Sequence, residues 1–161
     1  MAKDEPRKIP KIGWDISCLM RYLQSWKEVS FCTSTSFERS SQKLIMLLML
    51  AAGLRISEVC HLKQTSFTFS SDPCSMTWGF EDSFLCKSEH GLNRFAPFPI
   101  SGLHGPEAGS NCLVCFTRQF IQASKNLTSS SVLLFNRASG TPMAPVCASA
   151  LINRPSGQQT H

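Results

Sequence analysis

Apolar positions follow a helical period in the first third of the chain, alternate in the middle, and return to a helical period towards the end. Asp15 can cap a short helix that puts Ile16, Leu19, Met20 and Leu23 on one face. Residues 28–40 are rich in Ser and Thr and predict a loop that ends at a new helix cap. Ser40 or Ser41 then opens a strong helix through about Ala52, with Gly53 as its stop. Ser57, beside Glu58, predicts another cap and a short helix from Val59 to Lys63. The period then changes. Ser75 to Phe80, Ser83 to Cys86 and Arg94 to Ile100 read as three small strands, with residues 87–93 as a turn. Pro97 and Pro99 assign the last strand to a sheet edge. A Gly-rich loop at 101–110 leads to an amphipathic helix over 112–124 with Val114, Phe116, Phe120 and Ile121 available for burial. Leu133 to Phe135 is a short apolar stretch before a turn at Ser139 and Gly140, and Pro145 can start a final helix over Val146 to Asn153. The expected fold is mainly helical α+β with a small three-stranded antiparallel sheet. The expected organisation is a leader and linker with a short helix over 1–36, a main domain over 37–154 and a polar tail over 155–161.

Composition narrows the picture. A length of 161 residues, 42% hydrophobic and 17% charged, suits one globular domain with its own core. The longest apolar run, Leu44 to Ala52, is too short to cross a bilayer as a helix. The first eight residues carry charges of both signs and lack an apolar signal core, so no membrane partner and an intracellular location are expected. Of the 8 cysteines, several lie in apolar stretches, as at Cys18 and Cys60, and read as free buried thiols. Cys112 and Cys115 form the one close pair, without the second pair that a zinc site requires, so no metal is expected. All 11 acidic residues occur at or before Glu107. Only Arg118, Lys125, Arg137 and Arg154 carry charge beyond it, a weak bias towards a polyanionic partner.

Two places carry candidate chemistry. In Gly53-Leu54-Arg55-Ile56-Ser57-Glu58 an arginine follows an apolar helix across a tight turn. A guanidinium held there presents a planar fork that fits two phosphate oxygens, and Glu58, three residues on, can brace it. Lys87 is the second, at the tip of a turn between strands, where its ammonium can meet a phosphate or a leaving oxygen. Arg94 is a further candidate for a phosphate contact in the same hairpin.

The segment from Leu47 to Leu62, an apolar helix followed by Gly-Leu-Arg-Ile-Ser-Glu, resembles the first box of the tyrosine recombinase (phage integrase-like) catalytic domain. The hairpin with Lys87, the Pro-containing strand ending at Ile100, the segment Asn111 to Ile121, and Leu133 to Phe135 with Gly140 to Pro142 resemble later pieces in the family's order. Trp14 to Ser17 resembles the linker before this domain in recombinases of eukaryotic mobile elements. The resemblance spans about residues 14–154. It implies a metal-free and nucleotide-free strand exchange on double-stranded DNA, in which a tyrosine forms a phosphotyrosyl link and positioned cations stabilise the transition state. On the matching positions Arg55 would bind phosphate, Glu58 would support the site and Lys87 would act as general acid. DNA and other recombinase protomers would be partners, and the location would be nuclear in a eukaryote. No cofactor and no small-molecule substrate are implied.

The family's His-x-x-Arg box and its nucleophilic tyrosine have no counterpart, since the single tyrosine, Tyr22, precedes Arg55. The resemblance therefore implies a truncated catalytic domain: a DNA-binding fragment that does not cut DNA alone. Blander roles also fit the residues. Arg55 could cap the carbonyls of the preceding helix, Glu58 could serve as a first-turn dipole partner, and Lys87 could simply be solvated. A protein-interaction or metal-binding module is the alternative for the whole chain.

Overall fold

The computed structural model describes residues 15–26, 33–70, 75–81, 84, 97–103 and 111–154. Helix α1 spans Ile16–Ser25, α2 Ser34–Ala52, α3 Ile56–His61, α4 Leu113–Ser124 and α5 Pro145–Ile152. Strands β1 (Phe67–Phe69), β2 (Ser75–Trp78) and β3 (Phe98–Ser101) form an antiparallel sheet in the order β1-β2-β3. The α+β class and the small three-stranded sheet agree with the expectation.

Helix α2 is the axis of the core. It buries Phe37, Leu44, Ile45, Leu47 and Leu48 and packs against α3, α4 and α5. Phe37 meets the Phe120 ring at 5.6 Å and the Phe135 ring at 5.0 Å, which ties α2 to α4 and to the segment after it. Val114, Phe116, Phe120 and Ile121 are all buried on α4, as the periodicity requires. Leu133, Leu134 and Phe135 are fully buried, and a bridge from Phe135 to Pro142 closes the turn whose Gly140 has φ 65°.

Several boundaries differ from the sequence reading. Helix α2 starts at Ser34, not at Ser40 or Ser41. Thr33 is its N-cap: the Thr33 hydroxyl accepts from the Ser36 N–H, and the Ser36 hydroxyl accepts from the Thr33 N–H. Ser40 and Ser41 lie inside the helix and fully buried, because their hydroxyls donate to the carbonyls of Ser36 and Phe37. Helix α3 begins at Ile56 with Arg55 as N-cap, two residues before the expected cap at Ser57. Ile16, expected on the buried face of α1, is 61% exposed; Leu23 alone on that helix is buried. Strand β1 was not expected. The expected strand over 83–86, the turn over 87–93, the start of the third strand, the leader and the tail lie wholly or largely outside the described residues. Among the described strands β3 does occupy an edge, with Pro99 opposite Thr77.

An aromatic series connects the sheet to α3. Phe98 and Phe80 contact the Trp78 ring, Phe84 packs on Phe80 at 4.6 Å, and His61 of α3 packs on Phe84 at 4.5 Å. A bridge from Lys63 to Val132 joins the end of α3 to the segment before Leu133.

Lys43 is fully buried on α2. Its ammonium donates to the Leu23 carbonyl at 3.0 Å in the last turn of α1, a carbonyl that also accepts from the Trp26 N–H, and lies 5.4 Å from the Phe116 ring centre. One side chain thus links α1, α2 and α4. Burial pushes its pKa down to about 8. The unfolded chain holds this proton to higher pH than the folded chain does. Between about pH 8 and the ordinary lysine value, folding therefore releases a proton, and stability gains as pH rises. We expect the stability difference between wild type and Lys43→Met to move in favour of wild type across that window, by up to about 3 kcal/mol. Urea unfolding of both proteins at a series of pH values measures it. The comparison cancels Cys60, whose thiol burial pushes up to about 11 and which acts in the opposite sense.

Candidate functional site

The turn between α2 and α3 builds the candidate site from backbone outward. Gly53 caps α2 in the left-handed region, φ 66° and ψ 19°. Leu54 is buried beneath the turn, which anchors it to the core. Arg55 then takes extended geometry, φ −81° and ψ 155°, and opens α3. Its side chain is exposed, and its guanidinium makes no hydrogen bond or ion pair among the described residues.

Glu58 is brought to Arg55 as the spacing implied, but by a different contact. Its carboxylate is buried and accepts from the Arg55 backbone N–H at 2.8 Å. The carboxylate fixes where the Arg55 main chain sits, and the guanidinium is left to reach outward. His61, at the other end of α3, donates its Nδ1–H to the Ser57 carbonyl at 2.6 Å while its ring packs on Phe84. Lys87 and Arg94 lie outside the described residues.

The four cations after Glu107 sort into two concavities, which the linear sequence did not reveal. Arg118 and Lys125, with Gln64, Gln122, Phe67 and Phe69, line a groove of about 440 Å³ between α4 and β1. Arg118 stacks over the Phe69 ring at 4.9 Å. Arg137 and Arg154 line a second cavity of about 490 Å³ between α2 and α5. There Arg154 is paired with Glu38 at 2.7 Å, so part of its charge is already answered.

The described cysteines, 18, 60, 112, 115 and 147, are all free thiols. Cys18 is exposed, contrary to the buried role expected of it, because its thiol donates to the Asp15 carboxylate at the N-cap of α1. Among the described residues no three His, Cys, Asp or Glu side chains gather where a metal ion could bind. No helix among them is long and apolar enough to cross a membrane.

The chain matches no protein-family model, no curated protein and no solved structure.

Substitutions at two positions test how the turn is held. A Cβ at Gly53 would meet nothing within 4 Å, so the cost of Gly53→Ala is conformational only. We expect a loss of about 1 kcal/mol in urea unfolding, with a smaller loss for Gly53→Asn, which tolerates the left-handed region. Glu58→Ala strips the half-buried Arg55 amide of its acceptor and should cost about 1–2 kcal/mol in the same assay. Glu58→Gln, which keeps an acceptor oxygen, should cost less.

Proposed function

We propose that this chain is a DNA-backbone-binding fragment of a tyrosine-recombinase-type catalytic domain, and that it does not cut DNA on its own. The observation that carries the proposal is the position of Arg55. Its main chain is fixed by a glycine stop on one side and by the buried Glu58 carboxylate on the other, while its guanidinium is exposed and free of partners among the described residues. Such a group meets two phosphate oxygens with little ordering cost to its backbone. The Gly-Leu-Arg-Ile-Ser-Glu string that resembles the recombinase box is the string that forms this turn. Lys87 is the proposed general-acid remnant and Arg94 the proposed second phosphate contact.

The inactivity follows from the nucleophile. The single tyrosine, Tyr22, sits on α1, 40% exposed, with its ring edge against Trp26 at 5.2 Å. It precedes the Arg55 turn in sequence, whereas the family's nucleophile follows every other element of the site. Double-stranded DNA is the proposed partner, with other recombinase protomers as the source of any missing residues.

A salt titration of binding to a generic duplex tests the reading. Each phosphate contact contributes about −0.9 to the slope of log affinity against log salt. We expect steep salt dependence for the wild-type chain and a slope shallower by about 1 for Arg55→Ala. Because Arg55 keeps its backbone contact with Glu58, the variant should unfold within about 0.5 kcal/mol of wild type. Binding that ignores salt, or an Arg55→Ala variant that binds as wild type does, overturns the proposal. A covalent adduct on a nicked suicide duplex would overturn the inactivity.

A further inference from the structure

Two cysteines meet at the start of α4 in a geometry the proposed DNA contact does not use. Cys112 is the N-cap of this 12-residue helix and Cys115 is its N3 residue. The Cys112 thiol lies within hydrogen-bonding reach of both the amide and the thiol of Cys115. Cys112 is 2% exposed, whereas Cys115 is half-buried and reaches the surface.

The two thiols are not equivalent to the other buried cysteine. Cys60 is pushed up by burial to about 11, with Cys147 adding to the rise, and stays an inert thiol. Burial acts on Cys112 in the same upward direction. The amide and thiol of Cys115, with the amides of Leu103 and Val114, outweigh it and hold the Cys112 thiol below its ordinary value. No acidic residue occupies the first turn of α4 to oppose a thiolate there. A Cys-x-x-Cys pair opening a helix is a setting in which thiolate chemistry is favoured.

We propose that Cys112 and Cys115 form a reversible dithiol–disulfide couple that exchanges with small-molecule disulfides. Cys115, the more accessible sulfur, is the entry point. Its thiolate attacks one sulfur of the small disulfide, forms a mixed disulfide, and releases one small thiolate, which takes up the proton that Cys115 gave up. The Cys112 thiolate then attacks the Cys115 sulfur and forms the internal disulfide. The second small thiolate leaves and takes up the Cys112 proton. Two protein thiols are oxidised and one small disulfide is reduced to two thiols, so electrons and protons balance.

The full chain equilibrated over a series of reduced and oxidised glutathione ratios tests the couple. Remaining thiols are alkylated, and peptides are mapped by mass spectrometry without reduction. We expect a peptide carrying the Cys112–Cys115 disulfide, its oxidised-to-reduced ratio changing tenfold for each tenfold change in the glutathione couple. In Cys112→Ser the mixed disulfide should persist on Cys115, since no thiolate resolves it. The wild-type mapping needs no variant and stands even where Cys112→Ser folds poorly. Absence of the Cys112–Cys115 disulfide at every ratio overturns the proposal, as does its loss to other pairings. A mixed disulfide that fails to accumulate on Cys115 in a folded Cys112→Ser protein overturns the order of attack.

Discussion

The rest of the structure depends on the burial of α2. Its central residues are enclosed on nearly every side, with Leu44, Ile45 and Leu48 wholly out of water. Each such aliphatic side chain contributes about 2 kcal/mol relative to exposure. Enclosure of this kind leaves no wet face for polar groups, yet α2 also buries Ser40, Ser41 and Lys43. The serines stay within the helix by bonding to carbonyls one turn back. Lys43 reaches across to another helix, where its ammonium donates to the Leu23 carbonyl of α1. The buried charge of α2 thus becomes one of the ties that hold α1, beside the buried Leu23 and the Asn111 amide that donates to the Met20 carbonyl. The Arg55 turn in turn is placed by where α2 ends.

The long elements were legible because burial leaves a periodic mark. Phe116 and Phe120 on α4, Pro145 at the start of α5, and Gly53 at the end of α2 each carry a local physical signal that the tertiary structure uses directly. The misses have local causes as well. Residues 28–40 read as a loop because Ser and Thr usually compete with the helix for backbone partners. Here they serve first as a cap and then as internal bonds, and neither use changes the composition. The start of α3 was displaced because Ser57 is a better cap by type than Arg55. The deciding interaction runs from a carboxylate three residues later to a main-chain amide, which no preference for a capping side chain detects. Strand β1, at Phe67–Phe69, is too short to display alternation, and only its register with β2 identifies it.

Of the candidate site, the pairing of Arg55 with Glu58 was legible from spacing, while the atom that Glu58 contacts was not. The two concavities were invisible, since Arg118 and Lys125 meet β1 across more than forty residues of chain. Charge patterning along the sequence showed that the later part of the chain lacks acids. It could not show that Arg154 reaches back to Glu38 across most of the chain. The cysteines divide in the same way. Composition treats Cys60 and Cys112 alike, and the difference between them lies in whether amides or apolar groups surround the sulfur.

The proline in β3 bears on how copies of this chain meet one another. Pro99 sits opposite Thr77 on the outer strand of the sheet and has no N–H. A strand arriving at that edge from a second molecule would find a donor missing in the middle of a four-residue ladder. The opposite edge, β1, offers only three residues. Sheet extension therefore has a poor template on either side, and crowded chains meet through side chains before they meet through backbone.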